Sequence, residues 1–228
     1  MEILVNFYKI LLTFHFYIYK IKSVFTKNRL KRRIKLIYCS EMRINMRVIA
    51  GKARSLKLKT IDDMSTRPTT DRIKETLFNM LNPYIPGARF LDLFAGSGAI
   101  GIEALSRGAK SATFVENNRK CIDCIKDNLT HTKLMDDAIV LNKTAQMALE
   151  ELKNKEPFDI IFMDPPYDNL YEKDILYSLH DYGMVNEDTI IIVEASIDTD
   201  FGFIDDIGYE IFKNKVYKTN KHVFIRMR

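Results

Sequence analysis

The chain has 228 residues, 46% of them hydrophobic and 29% charged, with a net charge of +5. Such a composition suits one globular core with a small appendage and excludes a generally disordered or fibrous chain. The charge is uneven: residues 1–45 carry ten Lys/Arg against two acids, net +8, so the remainder is −3 and must meet any polyanion through a local patch. Three cysteines, Cys39, Cys121 and Cys124, are too few and odd in number for a disulfide framework and point to a reducing, cytoplasmic setting.

Residues 1–45 differ from the rest. Ile3 to Phe25 is apolar but interrupted by Lys9, His15, Lys20 and Lys22, and a basic tract from Lys27 to Lys35 follows. The uninterrupted apolar stretch is shorter than the roughly 20 residues of a spanning helix. Its charge follows the apolar region, whereas in a signal peptide the charge comes first. Met46-Arg47-Val48-Ile49-Ala50-Gly51-Lys52 reads as a plausible protein start. Residues 1–45 are therefore read as an over-extended start and kept out of the fold, and no membrane attachment is expected.

From Arg47 to Thr60 apolar and basic residues alternate. The spacing predicts a short strand or hairpin about Gly51 with one basic face, Lys52, Arg54, Lys57 and Lys59. A solvated edge strand blunted by lysines is the ordinary alternative. Thr70 or Asp71 then caps a helix with the stripe Ile73, Leu77, Met80 and Leu81. Arg67, Thr69 and Arg72 around that cap form a phosphate-binding constellation.

Arg89–Phe94 reads as a buried strand. Ala95 to Gly101 is a glycine turn that opens a helix running to Arg107, with Gly108 after its end. The GxGxxG match of Gly96, Gly98 and Gly101 says only that backbone must approach something closely at a helix N-terminus. Ala112–Glu116 is the second strand, with an acid at its end where ribose hydroxyls can be held. Asn118–Leu129 is helical, with Ile122, Ile125 and Leu129 on one face. Cys121 and Cys124 have CxxC spacing there, but nothing completes a zinc site and no metal is expected. Ala138–Leu141 is a third strand and Ala145–Leu152 a helix.

Phe158–Met163 is a fourth strand of the buried parallel kind, ending in Asp164-Pro165-Pro166-Tyr167. Two prolines make a rigid, extended turn at the carboxyl end of the strand, where open α/β sheets bind ligands. The Asp164 carboxylate and an exposed backbone carbonyl can accept both hydrogens of an exocyclic amine, and Tyr167 can stack on the ring that carries it. The bland alternative is a proline-ended strand with Asp164 as a cap. Residues 168–183 show no readable signature. Ile190–Val193 is a fifth strand, and Tyr209–Tyr217 with His222–Arg226 predicts an antiparallel hairpin.

Strand, glycine turn, helix, acid-ended strand and a later Asp-Pro-Pro-Tyr strand together resemble the class I S-adenosylmethionine-dependent methyltransferases. With Met46–Lys52, Thr66–Arg72 and Leu91–Gly98 added, the chain from 46 to 228 closely resembles the RsmD family, which methylates N2 of a guanine in 16S ribosomal RNA. The resemblance implies an α/β, Rossmann-like fold with a seven-stranded, mostly parallel sheet, a C-terminal antiparallel hairpin and a small N-terminal basic hairpin and helix. It implies a basic RNA-binding segment over 46–86, with Lys52, Arg54, Lys57, Lys59, Arg67, Thr69 and Arg72 on RNA, and a methyltransferase domain over 87–228. S-adenosylmethionine would lie against Asp92, Phe94, Ala95, Gly96, Ser97, Gly98, Glu116, Asn117, Thr144 and Ala145. Asp164, the Pro165 carbonyl and Tyr167 would hold the target base. The sequence departs from many class I enzymes after the third strand, where Asn142-Lys143-Thr144-Ala145 offers no acid for the adenine amine. Backbone or Asn142 is the expected substitute. The partner implied is 16S rRNA in an assembling small subunit, met by a monomer. The same device on DNA, methylating adenine N6 or cytosine N4, lacks an obvious target-recognition domain here. A nicotinamide-dependent oxidoreductase leaves Asp164 to Tyr167 unexplained, and a catalytically silent RNA-binding module leaves the intact acid and glycine turn without a purpose.

Overall fold

The computed structural model describes residues 46–60, 71–166 and 171–228. Seven strands form one sheet: β1 (Arg89–Asp92), β2 (Ser111–Glu116), β3 (Ala138–Asn142), β4 (Ile160–Met163), β5 (Ile190–Ser196), β6 (Tyr209–Val216) and β7 (Asn220–Met227). Their spatial order is β3-β2-β1-β4-β5-β7-β6. The first five pair in parallel, and β7 runs antiparallel to both β5 and β6. This is the predicted sheet. The order reverses between β1 and β4, which opens a crevice at the carboxyl ends of those strands.

Alternation along the strands divides the core into two layers. Phe90, Phe114, Ile160, Phe162, Ile192 and Phe224 face one side. Leu91, Val115, Ile161, Met163, Val193 and Ile225 face the other. Helices α1 (Asp71–Leu81), α2 (Ala99–Ser106) and α3 (Arg119–Thr132) cover the first side. Helices α4 (Ala145–Leu152) and α5 (Tyr171–Asp181) cover the second. All eight residues of α2 are buried, as an apolar helix sandwiched between layers requires. Gly101 lies in α2 because a Cβ there would sit 2.3 Å from the Phe114 ring. The Asn118 side chain caps α3 and the Thr144 hydroxyl caps α4.

Helix α5 corrects the reading of 168–183 as a stretch without signature. Its inward face combines Ile175, Leu176 and Leu179 with the buried polar residues Glu172 and Ser178. The Ser178 hydroxyl donates to the Asp174 carbonyl at 2.9 Å and accepts from Gln146, so a polar residue sits comfortably where the period asks for an apolar one.

The predicted basic hairpin is present. Val48 N donates to Leu56 O at 2.9 Å and Leu58 N to Met46 O at 2.8 Å. Gly51 turns it with φ +83°, and a Cβ at that position would lie 1.8 Å from the Ser106 carbonyl oxygen. Met46, Val48, Ala53 and Leu58 join the same core layer as Leu77 and Phe90.

A buried charged hub fixes the hairpin. Glu103, fully buried on α2, accepts from the amides of Ile49 (2.7 Å) and Ala50 (3.0 Å) and from Arg107 Nε (2.8 Å). Lys74, fully buried on α1, lies 3.4 Å from Glu103 and donates to the Arg47 carbonyl. Burial pulls the Lys74 ammonium below its ordinary range, against the opposing pull of Glu103. One carboxylate thus satisfies hairpin, α1 and α2 together.

Candidate active site

At the carboxyl ends of β1, β2, β3 and β4 lies a cavity of about 680 Å³, within the usual range for a cofactor or small-molecule site. It brings together most of the predicted cofactor residues: Asp92, Phe94 to Ser97, Glu116, Asn117, Thr144 and Ala145, with Asp164 at its rim. Gly98 lies behind the turn and shapes it. Its φ is +79°, and a Cβ there would press on Ile125 at 3.2 Å.

Each polar group is placed by its element. Asp92 ends β1, 1% exposed, and its Oδ2 accepts from the Gly101 amide at 3.3 Å. Its Oδ1 is buried with no partner. Burial raises this carboxyl to about 7, the Gly101 amide opposing the rise. Glu116 ends β2 and grips the turn: its carboxylate accepts from the Gly96 amide at 2.9 Å and from the Asn118 amide at 2.8 Å. Asn142 gives its amide to the carbonyls of Glu116 and Asn117, at 3.2 and 3.3 Å, and does not line the cavity. Asn142 is thus held to the backbone of the β2 end, away from the cavity. Lys143 to Gln146 form that wall instead.

Asp164 is half-buried, one residue past β4. Its carboxyl is raised to about 8, first by burial, then by the nearby negative charges of Glu194 and Asp92. Pro165 is buried and Pro166 exposed at the rim. Tyr167, Arg67 and Thr69 fall outside the described residues.

Behind Asp164 stands a polar cluster that the sequence reading did not find. Glu194 on β5 accepts from Asn220 Nδ2 and lies 3.1 Å from Nε2 of His222, which is fully buried. The Tyr217 hydroxyl lies 3.3 Å from His222 Nδ1. A His222 tautomer carrying its hydrogen on Nε2 satisfies both contacts. The pairing of Glu194 with His222 comes from the β5–β7 register, which no local motif announces. Asn118, Cys121, Lys143 and Tyr171 also line the cavity without having been singled out as site residues.

Of the predicted basic face, Lys52 pairs with Asp137 at 3.4 Å and Lys59 with Asp127 at 2.5 Å, both at the surface. Arg54, Lys57 and Arg72 are exposed with no carboxylate partner among the described residues. Cys124 is buried on α3, its thiol donating to the Lys59 carbonyl at 3.3 Å, and burial pushes that thiol's pKa up. Among the described residues no group of side chains could hold a metal ion, and no helix is long and apolar enough to cross a membrane.

Residues 46–226 match the family model described as Conserved hypothetical protein 95. Ribosomal RNA small subunit methyltransferase D of Escherichia coli K12 is 40% identical over 153 residues, covering 67% of this chain and 76% of that protein. The solved structure of yhhF from Escherichia coli is 34% identical, with a TM-score of 0.69 over 80% of this chain and 97% of that one. Precorrin-6y C5,15-methyltransferase of Geobacter metallireducens, 16% identical with a TM-score of 0.59 over 75% and 94% of the two chains, shares the fold alone.

Proposed function

The chain belongs to the Conserved hypothetical protein 95 family, that of the RsmD methyltransferases, and on that premise we propose that it methylates the exocyclic N2 of a guanine in 16S ribosomal RNA. S-adenosylmethionine is the donor, the substrate is an assembling small subunit, and the enzyme works in the cytoplasm as a monomer. The observation that carries this reading is one cavity lined together by the glycine turn, Glu116 and a desolvated acid, Asp164.

The donor fits the residues present. Asp92 Oδ1 is a buried acceptor without a partner, in a carboxyl that burial makes hard to ionise alone. A cationic ligand group, reached directly or through water, supplies what it lacks. Glu116 offers its remaining lone pairs to ribose hydroxyls, and Gly96 leaves open space beside them. When bound, the sulfonium supplies an activated methyl, so alignment is the protein's main task.

The acceptor nitrogen is the harder partner, because its lone pair is delocalised into the guanine ring. Asp164 accepts one N–H and the Pro165 carbonyl the other. The nitrogen is thereby drawn toward tetrahedral geometry and its lone pair is freed. Once it carries the methyl, the nitrogen would be positive and would release one proton; Asp164 serves first as an orienter, whose oxygen accepts the N–H even when the acid is protonated, and takes that proton only in its ionised form. Tyr167 stacks on the base, which must first leave its own stack.

The test is transfer of labelled methyl to small subunits lacking the modification, followed by nucleoside analysis, with Asp164→Ala in parallel. N2-methylguanosine, lost in the variant, is the expected result. Methylated adenine or cytosine would overturn the substrate assignment.

A further inference from the structure

The basic face on the N-terminal hairpin is one of two concentrations of positive charge in residues 46–228. The second is the C-terminal hairpin. Residues 209–228 carry six cations, Lys213, Lys215, Lys218, Lys221, Arg226 and Arg228, against one acid, Glu210, while residues 46–208 are net negative. Arg226 pairs with Glu210 at 2.6 Å and Arg228 with Asp205 at 2.7 Å. Lys221 donates to the carbonyls of Ile197 and Thr199. Lys213, Lys215 and Lys218 are exposed and meet no carboxylate among the described residues.

Register sets where Lys213 and Lys215 point, and Lys218 follows in the turn after β6. Lys215 pairs with His222, and His222 with Glu194. Met163 pairs with Val193, so Asp164 comes one step past β4, level with Glu194. Glu194, His222 and Lys215 thus form one row across β5, β7 and β6, and Asp164 continues it just past the end of β4. Side chains in such a row share a face of the sheet. Lys213 occupies the parallel row one pleat back, with Phe224 and Ile192. Three interstrand steps of ~4.8 Å put the Lys215 backbone about 14 Å from Asp164. That is short enough for the phosphates flanking a base held at Asp164. The N-terminal hairpin lies toward the other edge, tied through Lys52 to Asp137 just before β3 and through Lys59 to Asp127 on α3.

We propose that β6 and the turn after it form a second RNA-backbone surface, on which Lys213, Lys215 and Lys218 hold phosphates flanking the target nucleotide on the side away from the N-terminal hairpin. This rests on the RNA substrate proposed above and adds a location to it. Two basic arms on either side of the catalytic acid hold the strand across the cavity mouth, so the base between them is presented to Asp164. The lysines read no sequence, because phosphate contacts position without specifying.

The experiment compares wild type with the triple variant Lys213→Gln/Lys215→Gln/Lys218→Gln, all exposed positions. Methyl transfer to under-modified small subunits is followed across a salt series. KM for the subunit should rise about tenfold and the salt dependence of log kcat/KM should become shallower by about 2, as three lost phosphate contacts require. The kcat at saturation and the affinity for S-adenosylmethionine should stay within twofold of wild type. A triple variant with unchanged KM and unchanged salt slope, beside an active wild type, overturns this inference alone. A wild type that binds the cofactor yet methylates no rRNA overturns the substrate reading, and this inference with it.

Discussion

Glu103→Gln tests how the N-terminal hairpin is held. Each oxygen of Glu103 faces two donors: Oε2 the Ile49 amide and Lys74 Nζ, Oε1 the Ala50 amide and Arg107 Nε. Glutamine replaces one oxygen with an NH2, so in either orientation a donor faces two donors. It also takes from the fully buried Lys74 the stronger of its two counter-charges, leaving only Asp71. Breaking a buried ion pair from one side costs about 3–5 kcal/mol. That is a large share of the roughly 5–15 kcal/mol that holds a domain folded. With a urea m-value of about 2 kcal/mol/M, the midpoint should fall by about 2 M. Adding Lys74→Met removes one stranded donor and the buried ammonium, so the double variant should recover part of the loss, with a coupling of about 1–3 kcal/mol. A single variant within about 0.5 kcal/mol of wild type, or a strictly additive double, would refute the hub.

Measured above pH 8, where Asp164 is ionised, Asp164→Asn should lower kcat by about 10²–10⁴-fold, the range for a lost proton acceptor, while calorimetry finds cofactor affinity within threefold of wild type. Stability should fall as pH rises from about 4 to about 8. Asp92 and Asp164 hold protons in the folded protein up to about 7 and 8, whereas the unfolded chain has lost them above about 4. The folded state therefore binds more protons across that window, and thermal melts at pH 5.5 and 8.5 in matched salt should show the drop, reduced in Asp92→Asn. Gly101→Ala places a methyl against the Phe114 ring and should lower stability by about 1–3 kcal/mol in chemical denaturation.

The sheet was legible because its strands are continuous apolar runs with punctuation at their ends. Gly96 and Gly98 mark one end, Glu116 another and Pro165-Pro166 a third, and the cavity joins these ends. Helix α5 was not legible, because Glu172 and Ser178 occupy inward positions and their partners come from elsewhere in the fold. The Glu194–His222 pair joins residues on two strands through a register that forms only when β7 inserts between β5 and β6. The basic face was visible as a pattern, but its partial neutralisation by Asp127 and Asp137 was not, since those acids belong to other elements.

Asn128 on α3 is 1% exposed, and its side-chain amide ties two backbone segments together, with a further contact from Nδ2 to Cys124 Sγ at 3.6 Å. Its Oδ1 accepts from Lys59 N at 2.7 Å, and its Nδ2 donates to Lys59 O at 3.0 Å and to Ser97 O at 2.9 Å. The end of the hairpin and the middle of the glycine turn therefore hang from one side chain. Neither can swing away without orphaning a buried amide, so the two open together as one cooperative unit. In native-state hydrogen exchange the amides of Lys59 and Gly98 should report the same opening free energy, although 39 positions separate them in the sequence.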